Sequence, residues 1–335
     1  MKEILTNSEA LINWGKQQEL KGLRNFLFTE PNRPLICIGS GGSFSICRLF
    51  SILYSTKGSI SQAVTPYSAY SLSEEAIRNS KVLLVSNSGH NKDIVAIAKH
   101  CSSINPKWTA NITTADGPRN EVKKHIQPAN SFNFKSDFKD GFISVGSVIG
   151  NYSLAVAAFK SNFTVSSPNQ DYTYFNFKPT HHFIVLHGGW GEPAAIDFES
   201  KLVETGTATC AVSDFRNFCH GRFIFPGNHC GHEKKSEVPD DCTVVMLTTP
   251  RESSFAHKIK EVLPSRCQVV ELSTTFKGAE ASIELLLSAS FLADEVCHQK
   301  GVNPMSPANF GGIDKRRPVN IPFISDLKAS GPLSI

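Results

Sequence analysis

Short apolar runs alternate along the chain with longer segments that carry an apolar stripe at helical spacing. The first run, residues 35–38, is followed by a segment in which Ile46, Leu49, Phe50 and Leu53 share one helical face. The same pairing recurs and predicts strands at 35–38, 82–85, 108–113, 183–186, 243–247 and 268–272. A further stripe predicts a long helix at residues 279–298.

This alternation occurs in two rounds, separated by a polar stretch with scattered aromatic residues at 161–180. Alternating strands and helices predict parallel sheets covered by helices, which is the α/β class. Because 335 residues are long for a single hydrophobic core, we expect two similar halves. The predicted organisation is a first domain at 1–162, a connection at 163–180, a second domain at 181–300 and a tail at 301–335.

Charge and apolar content limit the classes of partner. The formal net charge is only +4, which argues against nucleic-acid binding and suits a small anionic substrate. No segment approaches the roughly 18 to 20 apolar residues of a membrane helix, and the N-terminus lacks the apolar core of a signal peptide. The 9 cysteines show no CxxC spacing and predict free thiols. We therefore expect a soluble, cytoplasmic protein.

Two loops rich in glycine and serine each follow a predicted strand and precede a predicted helix. The first serine loop has the sequence GSGGS at residues 39–43, and the second begins with SNSGHN at residues 86–91. Glycine lets the backbone approach an anion, and a helix N-terminus supplies N–H donors and the positive end of a dipole. Serine hydroxyls add donors without adding charge. The spacing matches neither GxGxxG nor GxxxxGK[ST], the two nucleotide-binding motifs.

The position of these loops predicts what they bind. Loops that leave the carboxyl ends of neighbouring parallel strands converge on one crevice. Two serine loops in such a crevice form a cup of hydroxyl and N–H groups, which fits a phosphate monoester. Because no acidic residue for a ribose is evident in the sequence, a nucleotide is the weaker candidate ligand.

Together, the loops resemble those of the sugar isomerase (SIS) domain, which have the forms G-x-G-x-S and S-x-S-G-x-[ST]-x-[DE]. The resemblance covers most of the chain and implies two tandem SIS domains, each a parallel sheet flanked by helices in a flavodoxin-like three-layer arrangement. The residues implied to bind the substrate phosphate are Ser40, Gly41, Gly42, Ser43, Ser86, Asn87, Ser88 and Asn91. Asn91 departs from the family pattern, which has a hydroxyl residue there. Residues 141–144 are similar to a third family loop that contacts the sugar, so Ser144 is a further candidate.

Aldose–ketose chemistry needs a base that moves a proton between C1 and C2 through an enediol, and a group that opens the sugar ring. The second half is similar to that of double-SIS enzymes, in which a helix ends in K-x-x-E and a later loop carries H-G. This similarity implies that Glu204 is the proton shuttle and His220 the ring-opening group. Glu199 is an alternative base. The resemblance also implies a homodimer, with the histidine loop at or near the subunit boundary.

The tail leaves the reaction open. Family members carry a lysine there that reaches the sugar, whereas this chain has Gly312 at the matching position, with Lys315 or Arg316 as the implied substitute. The implied activity is that of a phosphosugar isomerase or a fructosamine-phosphate deglycase, without a cofactor. The alternative is a non-catalytic sugar-phosphate sensor or regulatory protein, a role that SIS domains also serve.

A group of histidines and cysteines offers a competing interpretation. His229, Cys230 and His232 could contribute to a tetrahedral zinc site, but the paired CxxC or HxxxH spacing of such sites is missing. We therefore expect no metal.

Overall fold

The computed structural model describes residues 1–114, 120–138, 140–165, 172–177, 182–230, 242–265 and 267–306, without the side chains of residues 229 and 230. Within these ranges the chain forms two compact units. The N-terminal unit contains residues 11–138 and 146–163, and the C-terminal unit contains residues 1–10, 140–145 and those described from 164 to 306.

The N-terminal unit contains a five-stranded, fully parallel sheet with the strand order β2-β1-β3-β4-β5. Its strands are β1 Leu35–Ile38, β2 Ser61–Val64, β3 Lys81–Val85, β4 Thr109–Thr113 and β5 Ser131–Asn133. Strands β1, β3 and β4 confirm the three apolar runs. The sequence did not predict β2 and β5, because both are short, polar edge strands whose residues stay partly exposed.

Helices cover both faces of this sheet. Those of the N-terminal unit are α2 Ser8–Lys16 from residue 11 onward, α3 Lys21–Phe28, α4 Gly42–Ser55, α5 Pro66–Tyr70, α6 Glu74–Arg78, α7 Lys92–Ile104 and α8 Gly146–Phe159, whereas α1 Lys2–Thr6 belongs to the C-terminal unit. The buried face of α7 packs against Ile36, Ile38, Val82 and Leu84 of one sheet face. Successive strand residues point to opposite faces, so Cys37 faces the other side. Helices α4 and α8 also pack against each other.

The C-terminal unit contains a four-stranded parallel sheet with the order β7-β6-β8-β9. Its elements are β6 His182–His187, α9 Glu192–Glu204, β7 Thr209–Asp214, α10 Phe215–Asn217, α11 Ile224–Cys230, β8 Cys242–Thr248, α12 Ser253–Val262, β9 Gln268–Ser273 and α13 Glu280–Gln299. Strands β6, β8 and β9 and helix α13 confirm the predicted elements. The edge strand β7 was missed, since its sequence TCAVSD mixes polar and small residues and is half-exposed.

The 8 cysteines whose side chains are described are all free thiols. Among the described residues, we find no helix with the length and apolar character to cross a membrane.

Candidate functional site

The first serine loop, residues 39–43, runs directly from the end of β1 into the first turn of α4. A Cβ on Gly39 would lie 2.8 Å from both the Ser43 carbonyl oxygen and the Cys47 Sγ, so only glycine fits here. Gly41 has a φ of +55° and precedes α4, which has no side-chain cap. The first turn is closed by N–H groups of Ser43 and Phe44, which donate to the Ser40 and Gly41 carbonyls at 3.1 and 2.9 Å. The amino end of α4 thus has no side-chain cap, an arrangement that is compatible with an anion at its N–H groups.

The second serine loop is organised by its own polar side chains. Ser86 is buried, and its Oγ accepts the Gly89 N–H at 3.1 Å. Asn91 begins α7, and its Oδ1 accepts the N–H groups of Asp93 and Ile94 at 3.0 and 3.2 Å. These contacts use acceptor atoms, whereas a phosphate needs donors; the Ser86 hydroxyl proton and the Asn91 amide NH₂ are the donor atoms. Both residues stay predictions as phosphate ligands.

Strand pairing brings the two serine loops to one edge of the sheet. β1 and β3 are hydrogen-bonded neighbours, with Ile38 opposite Leu84, so the loops that follow them emerge side by side. The chain runs from β1 to β2 on one side, while β3 lies on the other side of β1. This gap between β1 and β3 is a topological switch point, the usual position of a ligand crevice in an open parallel sheet.

A layer of buried polar residues beneath the second serine loop was missed by sequence reasoning. The Thr114 hydroxyl donates to Asn87 Oδ1, and the Thr114 N–H donates to the Asn87 carbonyl at 3.1 Å. Asn120 donates from Nδ2 to the Thr113 Oγ1 at 2.9 Å. The sequence did offer a sign of this layer, because polar residues such as Thr113, Thr114 and Asn120, at or beyond the end of a predicted strand, are unusual in a core. Their partner loop could not be inferred without the fold.

The predicted sugar loop, residues 141–144, belongs to the C-terminal unit. The Asp140 carboxylate closes it by accepting the Val145 N–H at 3.0 Å. The Phe142 N–H donates to the Met305 carbonyl at 2.7 Å, and a Cβ on Gly141 would lie 2.5 Å from the same oxygen. The loop therefore packs against the first part of the tail, at Met305. Ser144 lies in this loop and is partly exposed.

Both candidate bases lie on α9. Glu204 is its last residue, is exposed, and accepts the Ser200 hydroxyl at 2.5 Å. Glu199 lies further back and is partly buried. Burial, and then the charge of Glu204, raise the pKa of the Glu199 carboxyl above its ordinary value. The structure therefore separates the candidates by environment, an exposed carboxylate at the helix end and a partly desolvated one within the helix.

The lysine of the K-x-x-E pattern is buried. Lys201 forms an ion pair with Asp197 one turn earlier on α9, and both side chains are almost fully buried. Burial raises the pKa of the Asp197 carboxyl, although the Lys201 charge opposes this change. The ion pair lies in the buried middle of α9, whereas Glu204, at the end of the same helix, is exposed to solvent.

His220 lies in a kinked segment after β7. Residues Phe218–Arg222 form a π-helical turn in which Gly221 has a φ of +125°, a value that favours glycine. The kink leaves His220 exposed. The next residues, 223–225, are Phe, Ile and Phe with exposed fractions of 48%, 53% and 41%. The predicted acid–base histidine therefore borders an exposed apolar segment.

The crevice of the second sheet has a different chemistry. Strands β6 and β8 are neighbours, and the loops after them contain Gly188 and Glu252. A Cβ on Gly188 would lie 2.3 Å from the Glu252 carboxylate, which accepts the Thr249 N–H at 3.1 Å. A carboxylate of the chain itself thus occupies this position, which disfavours an anionic ligand there.

Several predicted residues lie outside the described part of the chain. They include Lys315 and Arg316 of the tail and His232, and the side chains of His229 and Cys230 are likewise not described. Within the described ranges, no three His, Cys, Asp or Glu side chains are grouped so that they could hold a metal ion.

The two parallel sheets, each flanked by helices, define the class of the protein, an α/β protein of two parallel-sheet units. Solved structures with this fold include tagatose-6-phosphate ketose/aldose isomerase from Escherichia coli, with 18% identity and a TM-score of 0.68 over 92% of this chain and 94% of that one. Glucosamine-6-phosphate deaminase from Thermotoga maritima has 14% identity and a TM-score of 0.63 over 90% of this chain and 98% of that one.

A third similar structure is the C-terminal domain of glucosamine-fructose-6-phosphate aminotransferase from Francisella tularensis, with 14% identity and a TM-score of 0.63 over 91% of this chain and 97% of that one. The predicted fold of two tandem SIS domains is therefore confirmed. At these identities the likeness concerns the fold alone. No protein-family model matches the chain, and no curated protein matches its sequence.

Proposed function

We propose that this protein binds a sugar phosphate and acts on it as a phosphosugar isomerase or a fructosamine-phosphate deglycase. One observation carries the proposal: two serine loops leave the neighbouring strands β1 and β3 at the same edge of a parallel sheet, and each opens a helix. A phosphate in that crevice is held by Ser40, Ser43 and Ser88 hydroxyls and by backbone N–H groups, without a metal or another cofactor. Enzymes that act on sugar phosphates are among the proteins with this fold, which supports the ligand class.

Glu204 and His220 carry the proposed chemistry. His220 assists ring opening by exchanging a proton with the ring oxygen and the anomeric hydroxyl. Glu204 then removes the proton from C2 of the open-chain aldose to give an enediol and returns it to C1, which yields the ketose. The exposed position of Glu204 at the end of α9 leaves its carboxylate accessible to a substrate. Glu199 is the alternative base, and burial raises the pKa of its carboxyl above the ordinary value, which is the direction that strengthens a general base.

A sensor without catalysis is the second candidate. Asn91 replaces a family hydroxyl, and its side-chain oxygen is committed to capping α7. A phosphate site that lacks this hydroxyl binds more weakly, which is compatible with reversible sensing as well as with turnover. For either function, enzyme or sensor, the protein is proposed to be a cytoplasmic homodimer.

The first experiment separates the two functions. Wild-type protein is screened by thermal shift against inorganic phosphate and a panel of hexose and pentose phosphates, with and without amino groups, because a ligand of the folded state raises Tm. Each sugar phosphate that binds is then incubated in deuterated solvent, and loss of the C2 proton signal is followed by NMR. Exchange supports an isomerase or deglycase, whereas binding without exchange supports the sensor. If none of the phosphates binds, the proposal is wrong.

A further inference from the structure

Asn120 lies beneath the second serine loop, after the carboxyl end of β4. Its side chain is 1% exposed, and so is that of Thr113, the last residue of β4. Both residues belong to the N-terminal unit that carries the two serine loops. Neither matches a position of the phosphate-binding motifs.

Asn120 contacts both the strand and the loop. Its Nδ2 donates to the Thr113 Oγ1 at 2.9 Å, and its Oδ1 accepts the Lys123 N–H at 3.4 Å. A Cβ on Gly89 would lie 2.3 Å from that same Oδ1. The Gly89 carbonyl in turn accepts the Val122 N–H at 3.0 Å. The amide therefore packs directly against the backbone of the second serine loop, at its only glycine.

The backbone conformation of Gly89 explains why the contact with Asn120 affects the shape of the loop. Gly89 has a φ of +66°, a left-handed conformation that glycine adopts freely but does not prefer over its alternatives. On one side its N–H is held by the Ser86 Oγ at 3.1 Å. On the other side, Asn120 and the Val122 N–H restrict where the peptide can move. The conformation of the loop around Ser88 is thus held by Ser86 within the loop and by Asn120 and Val122 outside it.

The chemistry of Asn120 also suits a neighbouring anion. An amide supplies a donor and an acceptor without charge, whereas an aspartate of the same shape would place a negative charge against the loop. We infer that Asn120 is a positioning residue for anion binding, which holds the second serine loop in the conformation that presents Ser88 and the adjacent N–H groups to a phosphate. This inference rests on the proposed function.

The matched control lies at the other end of the same strand. Asn105 precedes β4 and is also buried, and its Nδ2 donates to the carbonyls of Ile77, Arg78 and Ser80 at 2.9 to 3.0 Å. Asn105→Ala removes three side-chain hydrogen bonds from the N-terminal unit, compared with two in Asn120→Ala, at the sheet edge opposite the serine loops. It therefore reports what a purely structural loss does to binding.

The test measures Kd by calorimetry at low ionic strength, for inorganic phosphate and for the hexose 6-phosphate that binds wild type best. Asn120→Ala is expected to weaken binding about tenfold, which corresponds to the loss of one well-placed interaction. Asn120→Asp is expected to weaken it further, and added salt should recover part of that extra loss because charge repulsion is screened. Asn105→Ala should stay within about twofold of wild type although its Tm falls.

A second pair of variants keeps the inference testable if the Asn120 variants fail to fold. Thr113→Val removes the hydroxyl that accepts the Asn120 amide, and Thr113→Ser retains it. Weaker binding in the valine variant, restored in the serine variant, is the expected result. Wild-type affinity in folded Asn120→Ala and Asn120→Asp, or an equal loss in Asn105→Ala, would overturn the positioning role. Failure of wild type to bind any of these anions would instead refute the proposed function itself, and the inference with it.

Discussion

Of the two serines of the second serine loop, Ser88 is the one whose hydroxyl has the weaker contact within the loop. Ser86 holds the Gly89 N–H, Asn87 accepts the Thr114 hydroxyl, and Asn91 caps α7. Ser88 receives only a long contact of 3.5 Å from the His90 N–H. At the scale of the residue, Ser88 is therefore the best single probe of the proposed phosphate site.

Ser88→Ala should weaken the binding of inorganic phosphate and phosphosugars about tenfold while the fold stays intact, since one hydroxyl donor to a charged group is lost. Ser103→Ala is the control, because Ser103 is an exposed serine at the far end of α7 whose hydroxyl bonds only the His100 carbonyl among the contacts found. Calorimetry and circular dichroism on both variants check the prediction. Unchanged affinity in Ser88→Ala would refute the site assignment.

Glu204→Gln separates chemistry from binding. Glutamine keeps the volume of the side chain but cannot accept the C2 proton, and the serine loops belong to the other unit. Binding of the phosphosugar should therefore stay near wild type. Exchange of the C2 proton should fall by about 10² to 10⁴, the usual contribution of a general base.

Glu199→Gln is the matched control for this experiment, because it neutralises the neighbouring carboxylate on the same helix. Its exchange rate should remain within a few-fold of wild type. The reverse result, exchange lost in Glu199→Gln and retained in Glu204→Gln, would transfer the role of the base to Glu199.

At the scale of the element, the amino end of β3 is joined to two helices by a buried lysine. Lys81 is 0% exposed, and its Nζ donates to the Leu27 carbonyl of α3 at 2.7 Å and to the Tyr54 hydroxyl of α4 at 3.1 Å. The ammonium also lies 5.3 Å from the centroid of the Trp108 ring. Burial lowers the pKa of Lys81 to about 8, against the opposing charge of Glu30.

This pKa makes stability depend on pH in a definite direction. Below about pH 8 both states hold the proton, and the folded protein bears the cost of a buried charge. Between that pH and the unfolded value of 10.5, the unfolded state binds more protons, so the contribution of Lys81 to stability rises with pH. The free energy of unfolding of wild type relative to Lys81→Met should therefore increase by up to about 3 kcal/mol between pH 7 and 10.5.

Denaturant titrations over this pH range provide the measurement. Lys107→Met is the control, because Lys107 is exposed and lies 4.9 Å from the centroid of the same Trp108 ring. If wild type and Lys81→Met change in parallel across the range, the buried lysine does not titrate in this way.

At the scale of the whole molecule, the exposed segment 223–225 supports the proposed homodimer. Two phenylalanines and an isoleucine that are each about half exposed next to His220 are costly to leave in water. Phe225 already packs against the His182 ring at 5.0 Å between centroids, whereas Phe223 contributes a more exposed ring. A second copy of the chain is the expected cover.

Phe223→Asp should convert the dimer into a monomer in light scattering at micromolar concentration, because a buried unpaired carboxylate is strongly unfavourable. Val262→Asp is the control, since Val262 is 78% exposed on α12 of the same unit and should leave the dimer intact. A wild-type monomer under these conditions would contradict the prediction.

The sequence by itself determined the apolar strands, the helices with a clear stripe and the position of both serine loops. These features depend on local periodicity and on glycine and serine at strand ends, which can be recognised in the sequence without knowledge of tertiary contacts. The polar edge strands β2, β5 and β7 could not be predicted from the sequence, because such strands are stabilised by pairing with a neighbour and not by an apolar pattern of their own. The predicted domain boundaries and site residues stay predictions.

Only the tertiary structure decided which polar groups meet. The pairing of β1 with β3 places the serine loops side by side, and Asn120 contacts Gly89 across 31 positions of the chain (120 − 89). Glu252 fills the matching crevice of the second sheet, and Lys201 is buried together with Asp197. The contacts between loops depend on the order of the strands, and the burial of the Lys201–Asp197 pair depends on how α9 is packed. Local sequence does not encode such an arrangement residue by residue, because it follows from burying the apolar faces of all the elements together.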